Sequence, residues 1–233
     1  MLTLDRIDVF YGSVQVLHAV SLTVAPGEVV ALLGRNGAGK TTTLRSIMGL
    51  NRPRAGTITL GGDVLSALRP HQVPRLGVAY VPQGRGLFAD MSVEENLRMG
   101  LLVRGAGRAT LDRVLGLFPV LTERLGQRAG TLSGGEQQML AMARALCIEP
   151  KVLLLDEPSE GLMPRVVQLL LDTVTRLKSQ GVAVLLVEQK VEAALEVADR
   201  VAFIENGAIK HLSTPADIAA DPEPLHRYVG VRR

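Results

Sequence analysis

Gly34-Arg35-Asn36-Gly37-Ala38-Gly39-Lys40-Thr41 reads G-x-x-x-x-G-K-[ST], set between the apolar run Val29–Leu33 and a helical pattern over Thr41–Leu50. Glycines at Gly34, Gly37 and Gly39 let successive backbone N–H groups turn inward as a nest for phosphate oxygens. The helix that follows points its positive end at the same spot. In such a loop Lys40 reaches the β- and γ-phosphates of a nucleotide and the Thr41 hydroxyl binds Mg²⁺. Arg35, Asn36, Ala38 and Thr42 complete the expected nucleotide contacts.

Working outward, Val152-Leu153-Leu154-Leu155-Asp156-Glu157 is a second buried-strand run, closed by two carboxylates. Asp156, at the strand's end, is placed to hold the Mg²⁺ shell, and Glu157 is available as general base for a water. Taken alone, the same run could be an ordinary strand ending in solvated acids. Val182–Val187 is a third apolar run. Runs apolar on both faces and separated by helices predict an α/β fold with a mostly parallel sheet covered on both sides. Leu2–Phe10 and Val14–Val24 alternate instead, which predicts antiparallel strands appended to one edge of that sheet. From about Gly84 to Leu146 the signals are helical. Ser92 and Glu95 have the spacing of a capping box, Leu111–Phe118 continues the helical character, and Gly105–Gly107 is a loop. We read this stretch as a helical subdomain, about 84–146, inserted into a core of about 1–83 and 147–233 within a single domain.

Composition narrows the classes. The 233 residues are 47% hydrophobic and 21% charged, which suits a globular core and not a disordered chain. Aromatics are 3% with no Trp, which disfavours base-stacking surfaces. The net charge of +3 comes from scattered arginines and five lysines, so no stripe for a polyanion is visible and nucleic acid is not an expected partner. A lone cysteine, Cys147, lies in an apolar helical run and reads as a small buried hydrophobe in a reducing compartment. No signal peptide is visible at Met1-Leu2-Thr3-Leu4-Asp5, and the apolar runs are about a third of a membrane span.

Leu132-Ser133-Gly134-Gly135-Glu136-Gln137-Gln138 opens another helical pattern, with Ser133 and Glu136 again at capping-box spacing. On its residues alone it is either a plain capped helix or a second anion-binding helix end. A small-molecule kinase built on the first loop leaves this segment unexplained.

With these pieces in order, the chain resembles the ATP-binding cassette (ABC) ATPases: Gly34–Thr41, Gln83, Leu132–Gln138 and Asp156-Glu157 fall in the family's sequence over essentially the whole length. The resemblance implies a P-loop (RecA-like) core, an N-terminal antiparallel subdomain and the inserted helices. It implies ATP and Mg²⁺, with Thr41, Gln83 and Asp156 at the metal. It implies two cassettes facing head to tail, so that Ser133, Gly134, Gly135 and Glu136 of one reach the γ-phosphate held by the other. Tyr11 matches the aromatic that stacks on adenine, although a strand aromatic needs no such role. Gln83 matches a loop that senses Mg²⁺ and the attacking water and contacts a membrane subunit.

Two positions depart from the family. Gln189 stands where a histidine is usual, and Met163 stands where the loop Ser159-Glu160-Gly161-Leu162 would be followed by aspartate. Gln189 can donate a hydrogen bond to a γ-phosphate but cannot carry a proton. With Leu185–Gln189, Pro82-Gln83-Gly84-Arg85 and Phe88, and Leu132–Met142, the chain looks like the ATPases of branched-chain amino acid importers, with urea importers close by. This implies a heterodimer or homodimer of cassettes, two permease subunits, a separate solute-binding protein and a place on the cytoplasmic face of the membrane. A soluble ABC ATPase without a membrane partner is the alternative. Phe88 is expected in a groove that receives a short helix of the permease, while Met139, Met142 and Leu146 are expected in the core.

Overall fold

The structure, a computed structural model, describes residues 1–230; the expected domain end at Arg233 lies outside the described residues. Five strands lie parallel in one sheet: β3 (Val29–Leu33), β6 (Val78–Val81), β7 (Val152–Asp156), β8 (Ala183–Val187) and β9 (Arg200–Glu205). With β10 (Ala208–Ser213) antiparallel to β9, the sheet runs β10-β9-β3-β8-β7-β6. Strands β3, β7 and β8 are buried at every position. The unbroken apolar runs have this cause: both faces of the sheet are covered, so neither can be polar.

Alternate residues of each strand serve different cores. Ala79, Val81, Leu153, Leu155, Val184 and Leu186 face one side, against α5 (Gly134–Leu146) and α6 (Pro164–Ser179) and the helices before them. Those are α2 (Val93–Arg104), α3 (Arg108–Leu117) and the short α4 (Pro119–Thr122). Met139, Met142 and Leu146 of α5 are buried in this layer, as is Cys147. Val30, Leu32, Leu154, Leu185 and Val187 face the other side, against α1 (Lys40–Ile47) and a second sheet. A smaller cluster around Phe203 joins α7 (Val191–Val197) and α8 (Pro215–Ala220) to the β9 end.

That second sheet corrects the expectation for the N-terminus. β1 (Leu2–Tyr11) and β2 (Val14–Val24) are not appended to the parallel sheet's edge. Together with β4 (Ala55–Leu60) and β5 (Asp63–Val64) they form their own antiparallel sheet, ordered β2-β1-β4-β5. It lies across a face, because the inward side chains Leu2, Leu4, Ile7 and Val9 must be buried and the edges are already taken by β10 and β6. The first helix begins at Lys40 and ends earlier than the pattern suggested, at Ile47, where Gly49 takes a left-handed turn (φ 71°). Both capping boxes form, at Ser92–Glu95 and Ser133–Glu136, and a third at Thr214–Asp217 starts α8.

Candidate nucleotide site

The loops leaving the carboxyl ends of β3, β8, β7 and β6 are neighbours because those strands are neighbours, so residues from four distant parts of the chain meet at one end of the sheet. Between β3 and α1 the glycines do specific work. A Cβ on Gly34 would lie 2.2 Å from the Ile204 carbonyl oxygen, so no larger residue fits there. Gly39 caps α1 at φ 111°, a conformation that turns the loop's N–H groups inward and that side-chain-bearing residues avoid. The loop floors a cleft of about 410 Å³ lined by Val16, Asn36, Gly37, Gly39, Lys40, Thr41, Thr42, Gln83, Glu157 and Gln189. Gly34, Arg35 and Ala38 do not line it. Gly34 and Arg35 instead offer carbonyls to Lys40 Nζ at 2.8 and 3.2 Å. Burial pulls the Lys40 pKa down, while Glu157 and then Asp156 oppose that by favouring its charge.

Behind the loop lies Asp156, 1% exposed. The Thr41 hydroxyl donates to its Oδ1 at 3.0 Å, and the Tyr80 hydroxyl donates to its Oδ2 at 3.0 Å. Burial raises the Asp156 carboxyl above the ordinary range; the bonds from Tyr80 and Thr41 pull it back. Burial likewise raises the Tyr80 phenol, with the Asp156 charge adding to it, so Tyr80 is a fixed donor at neutral pH. A hydroxyl and a carboxylate in contact beside this glycine-rich loop are hard oxygen donors of the kind that fit Mg²⁺. Tyr80 was not singled out by the sequence; its one signal is a hydroxyl interrupting the apolar strand β6.

Glu157 follows at φ 51°, a left-handed backbone that costs a non-glycine residue on the order of 1–3 kcal/mol. Its N–H is held by the Val187 carbonyl at 2.8 Å. Two amides converge on one of its oxygens: Gln83 Nε2 donates to Oε2 at 3.1 Å, and Gln189 Nε2 donates to the same Oε2 at 2.7 Å. Oε1 is left as the oxygen without an amide donor. Gln83 also donates to Glu160 at 3.0 Å, so its amide nitrogen is engaged by two carboxylates and not by Thr41 or Asp156. Two residues on, Arg85 Nη1 donates to Gln137 of α5 at 2.6 Å and so ties the Gln83 loop to that helix.

The remaining expected site residues lie elsewhere. Ser133, Gly134, Gly135 and Glu136 line a separate depression with Leu162, Met163 and Val166. There Ser133 caps α5, its N–H donating to Glu136 Oε2 at 2.8 Å, and Arg124 pairs with Glu136 at 2.8 Å. Tyr11 is 45% exposed at the end of β1 and accepts a hydrogen bond from Asn51; it does not line the cleft, whereas Val16 of β2 does. Phe88 is exposed in a third depression shared with Pro74, Tyr80, Met99 and Arg144.

The ABC transporter family model matches residues 17–160. The chain is 45% identical, over 99% of its length and all of the relative's, to the high-affinity branched-chain amino acid transport ATP-binding protein BraG of Pseudomonas aeruginosa. It is 36% identical, over 94% of each chain, to a probable branched-chain amino acid transport ATP-binding protein, LivF, of Archaeoglobus fulgidus. Among solved structures, an ATP-binding subunit of an ABC transporter superposes with a TM-score of 0.87 at 31% identity, covering 99% of this chain and 96% of that one.

Proposed function

This chain belongs to the ABC transporter family as an ATP-binding, ATP-hydrolysing subunit, and from that premise we propose that it energises uptake of branched-chain or other hydrophobic amino acids. The substrate reading rests on BraG and LivF; a urea or other small-solute importer is the competing assignment for the same chemistry.

The observation that carries the mechanism is the double amide clamp on Glu157 beside the Thr41–Asp156 contact. In our reading the phosphates of ATP lie along Gly34–Thr42, with Asn36 and the loop N–H groups as donors and Lys40 as the cation that neutralises the β- and γ-phosphate charge. Thr41 and Asp156 would hold Mg²⁺, with Gln83 as a further oxygen donor, and the ion would supply neutralisation of the phosphate charge. Glu157, with Oε2 fixed by Gln83 and Gln189, presents Oε1 to the water and takes its proton. Gln189 orients the carboxylate and donates toward the γ-phosphate but stores no proton. Tyr11, exposed at the end of β1 and outside the cleft lining, is the aromatic available to adenine beyond the cleft.

The signature residues Ser133–Glu136 lie outside the cleft of their own chain. For Ser133 and Gly135 to reach a γ-phosphate they must act on the nucleotide of a second cassette, a different one or a second copy. We read the whole chain as one cassette, with the helices of about 84–146 as the unit that carries the signature and, around Phe88, meets the permease. None of the helices among the described residues is long and apolar enough to cross a membrane. The cassette then sits on the cytoplasmic face, held by two permease subunits that receive solute from a binding protein.

The test is affinity purification of the tagged chain from gently solubilised membranes, with ATP and the Glu157→Gln change to hold the closed state. Recovery of two polytopic subunits and a second cassette is expected, and loading the purified complex with leucine- or urea-binding proteins separates the two substrates. Recovery of nucleic acid, or of no membrane subunit while ATP binding is intact, would refute the transport role.

A further inference from the structure

Glu188 is 2% exposed, outside the cleft lining, and unused by the hydrolysis described above. Its carboxylate faces Ser159, which is itself 2% exposed and lies two residues beyond Glu157. Oε1 accepts the Ser159 N–H at 2.9 Å; Oε2 accepts the Ser159 hydroxyl at 2.9 Å and the Gln189 N–H at 3.2 Å. Among the described residues no ion pair is formed by Glu188, and Lys190 turns its ammonium to the Ser159 carbonyl at 3.4 Å. A buried carboxylate answered only by neutral donors is a costly way to fill space. A hydrophobe of the same volume would serve a core better. The position calls for a role that a hydrophobe cannot fill.

The bonds close a ring. From Glu157 the chain leads to Ser159, Ser159 binds Glu188, the chain leads on to Gln189, and Gln189 Nε2 returns to Glu157 Oε2 at 2.7 Å. On the other side, the Glu157 N–H to Val187 bond joins the same two loops. We infer that Glu188 is a positioning residue for hydrolysis: it sets the spacing of the Glu157 and Gln189 loops so that the Gln189 amide meets Glu157 Oε2. This rests on the assignment of Glu157 as the water-activating group.

The test measures kcat and the KM for ATP in Glu188→Leu, Glu188→Gln and Ser159→Ala, each in the wild-type chain and with Gln189→Ala. Glu188→Leu removes both acceptors and is expected to lower kcat roughly tenfold or more while KM stays within about twofold. Glu188→Gln still accepts the Ser159 N–H and can donate to its hydroxyl, losing only the longer bond from the Gln189 N–H, so much of the loss is recovered. Because the effect passes through Gln189, Glu188→Leu costs much less in the Gln189→Ala background. A core-filling role would instead lower the folded fraction, leave the kcat of folded protein unchanged and give additive losses; that result overturns the inference. If Glu188→Leu does not fold, Ser159→Ala decides: a kcat loss of about threefold or more that vanishes with Gln189→Ala supports the ring, and a wild-type kcat overturns it. Glu157→Gln is the control for the underlying assignment. If it turns over normally, the site reading falls and this inference with it. If it is inactive while the Glu188 and Ser159 variants are silent, only this inference falls.

Discussion

Replacing Glu157 with glutamine separates the chemistry of the cleft from its architecture. In the folded chain Oε2 accepts the Gln83 amide at 3.1 Å and the Gln189 amide at 2.7 Å. A glutamine carbonyl oxygen has two lone pairs and accepts both, while the new amide nitrogen takes the place of Oε1. The left-handed backbone at φ 51° burdens both residues alike. The clamp therefore survives. The substitution also removes one negative charge facing Lys40 and the incoming phosphates, which works in favour of ATP binding. What disappears is the carboxylate proposed as the base. General-base help is worth about 10² to 10⁴ in rate, or roughly 2.7 to 5.5 kcal/mol at about 1.36 kcal/mol per tenfold. We expect phosphate release to slow by at least about a hundredfold, with ATP affinity equal to or tighter than wild type. Single-turnover phosphate release from preloaded ATP, paired with equilibrium ATP binding, reads the two quantities separately. Release within about threefold of wild type would remove Glu157 from the role. Loss of ATP binding would show instead that its charge is part of the architecture.

Other perturbations test neighbouring parts of the structure. Gln189→Ala deletes one of the two charge-assisted bonds to Glu157, each worth about 1.5 to 3 kcal/mol, so kcat should fall roughly tenfold to a hundredfold with little change in ATP affinity; an unchanged kcat refutes the clamp. Gly34→Ala drives a Cβ to 2.2 Å from the Ile204 carbonyl and should abolish nucleotide binding and lower the melting temperature; a variant that still binds ATP would refute the close approach. The helix caps hold Glu95 and Glu136 below their ordinary value of 4.5 through bonds from Ser92 and Ser133, so their stabilisation is full above that pH and is lost as pH falls through the lowered values. Asp156 and Glu188, raised by burial, act in the opposite sense. Thermal melts between pH 6 and pH 3 should therefore show a shallower acid loss when Glu95 and Glu136 are both glutamine; an unchanged acid limb refutes it. Burial pushes the Cys147 thiol up to about 12, so an alkylating reagent near neutral pH should label the chain only after denaturation, and rapid native labelling would refute its burial.

Contiguous residues alone specify the glycine-rich loop after β3, the two carboxylates at the end of β7, the capped starts of α2 and α5 and the parallel sheet. Each of these is written in contiguous residues whose local physics suffices: glycines where N–H groups must turn inward, apolar runs where both faces are covered, Ser and Glu three apart where a helix begins. The N-terminal sheet was legible as strands but not in place. The alternation of β1 changes phase at Arg6, at φ 46°, between Leu4 and Ile7, and a bulge that re-aims the inward side chains hides which face is buried. The partners of Tyr80, Ser159 and Glu188 could not be read from the sequence, because they are 76 and 29 residues away and meet them only where the strand order β3-β8-β7-β6 brings the loops together. The same convergence put the amides of Gln83 and Gln189 on a single oxygen of Glu157 and kept Ser133–Glu136 out of the cleft. Chemistry that depends on one segment is written in that segment; chemistry that depends on distance between segments exists only after the sheet has set the distance.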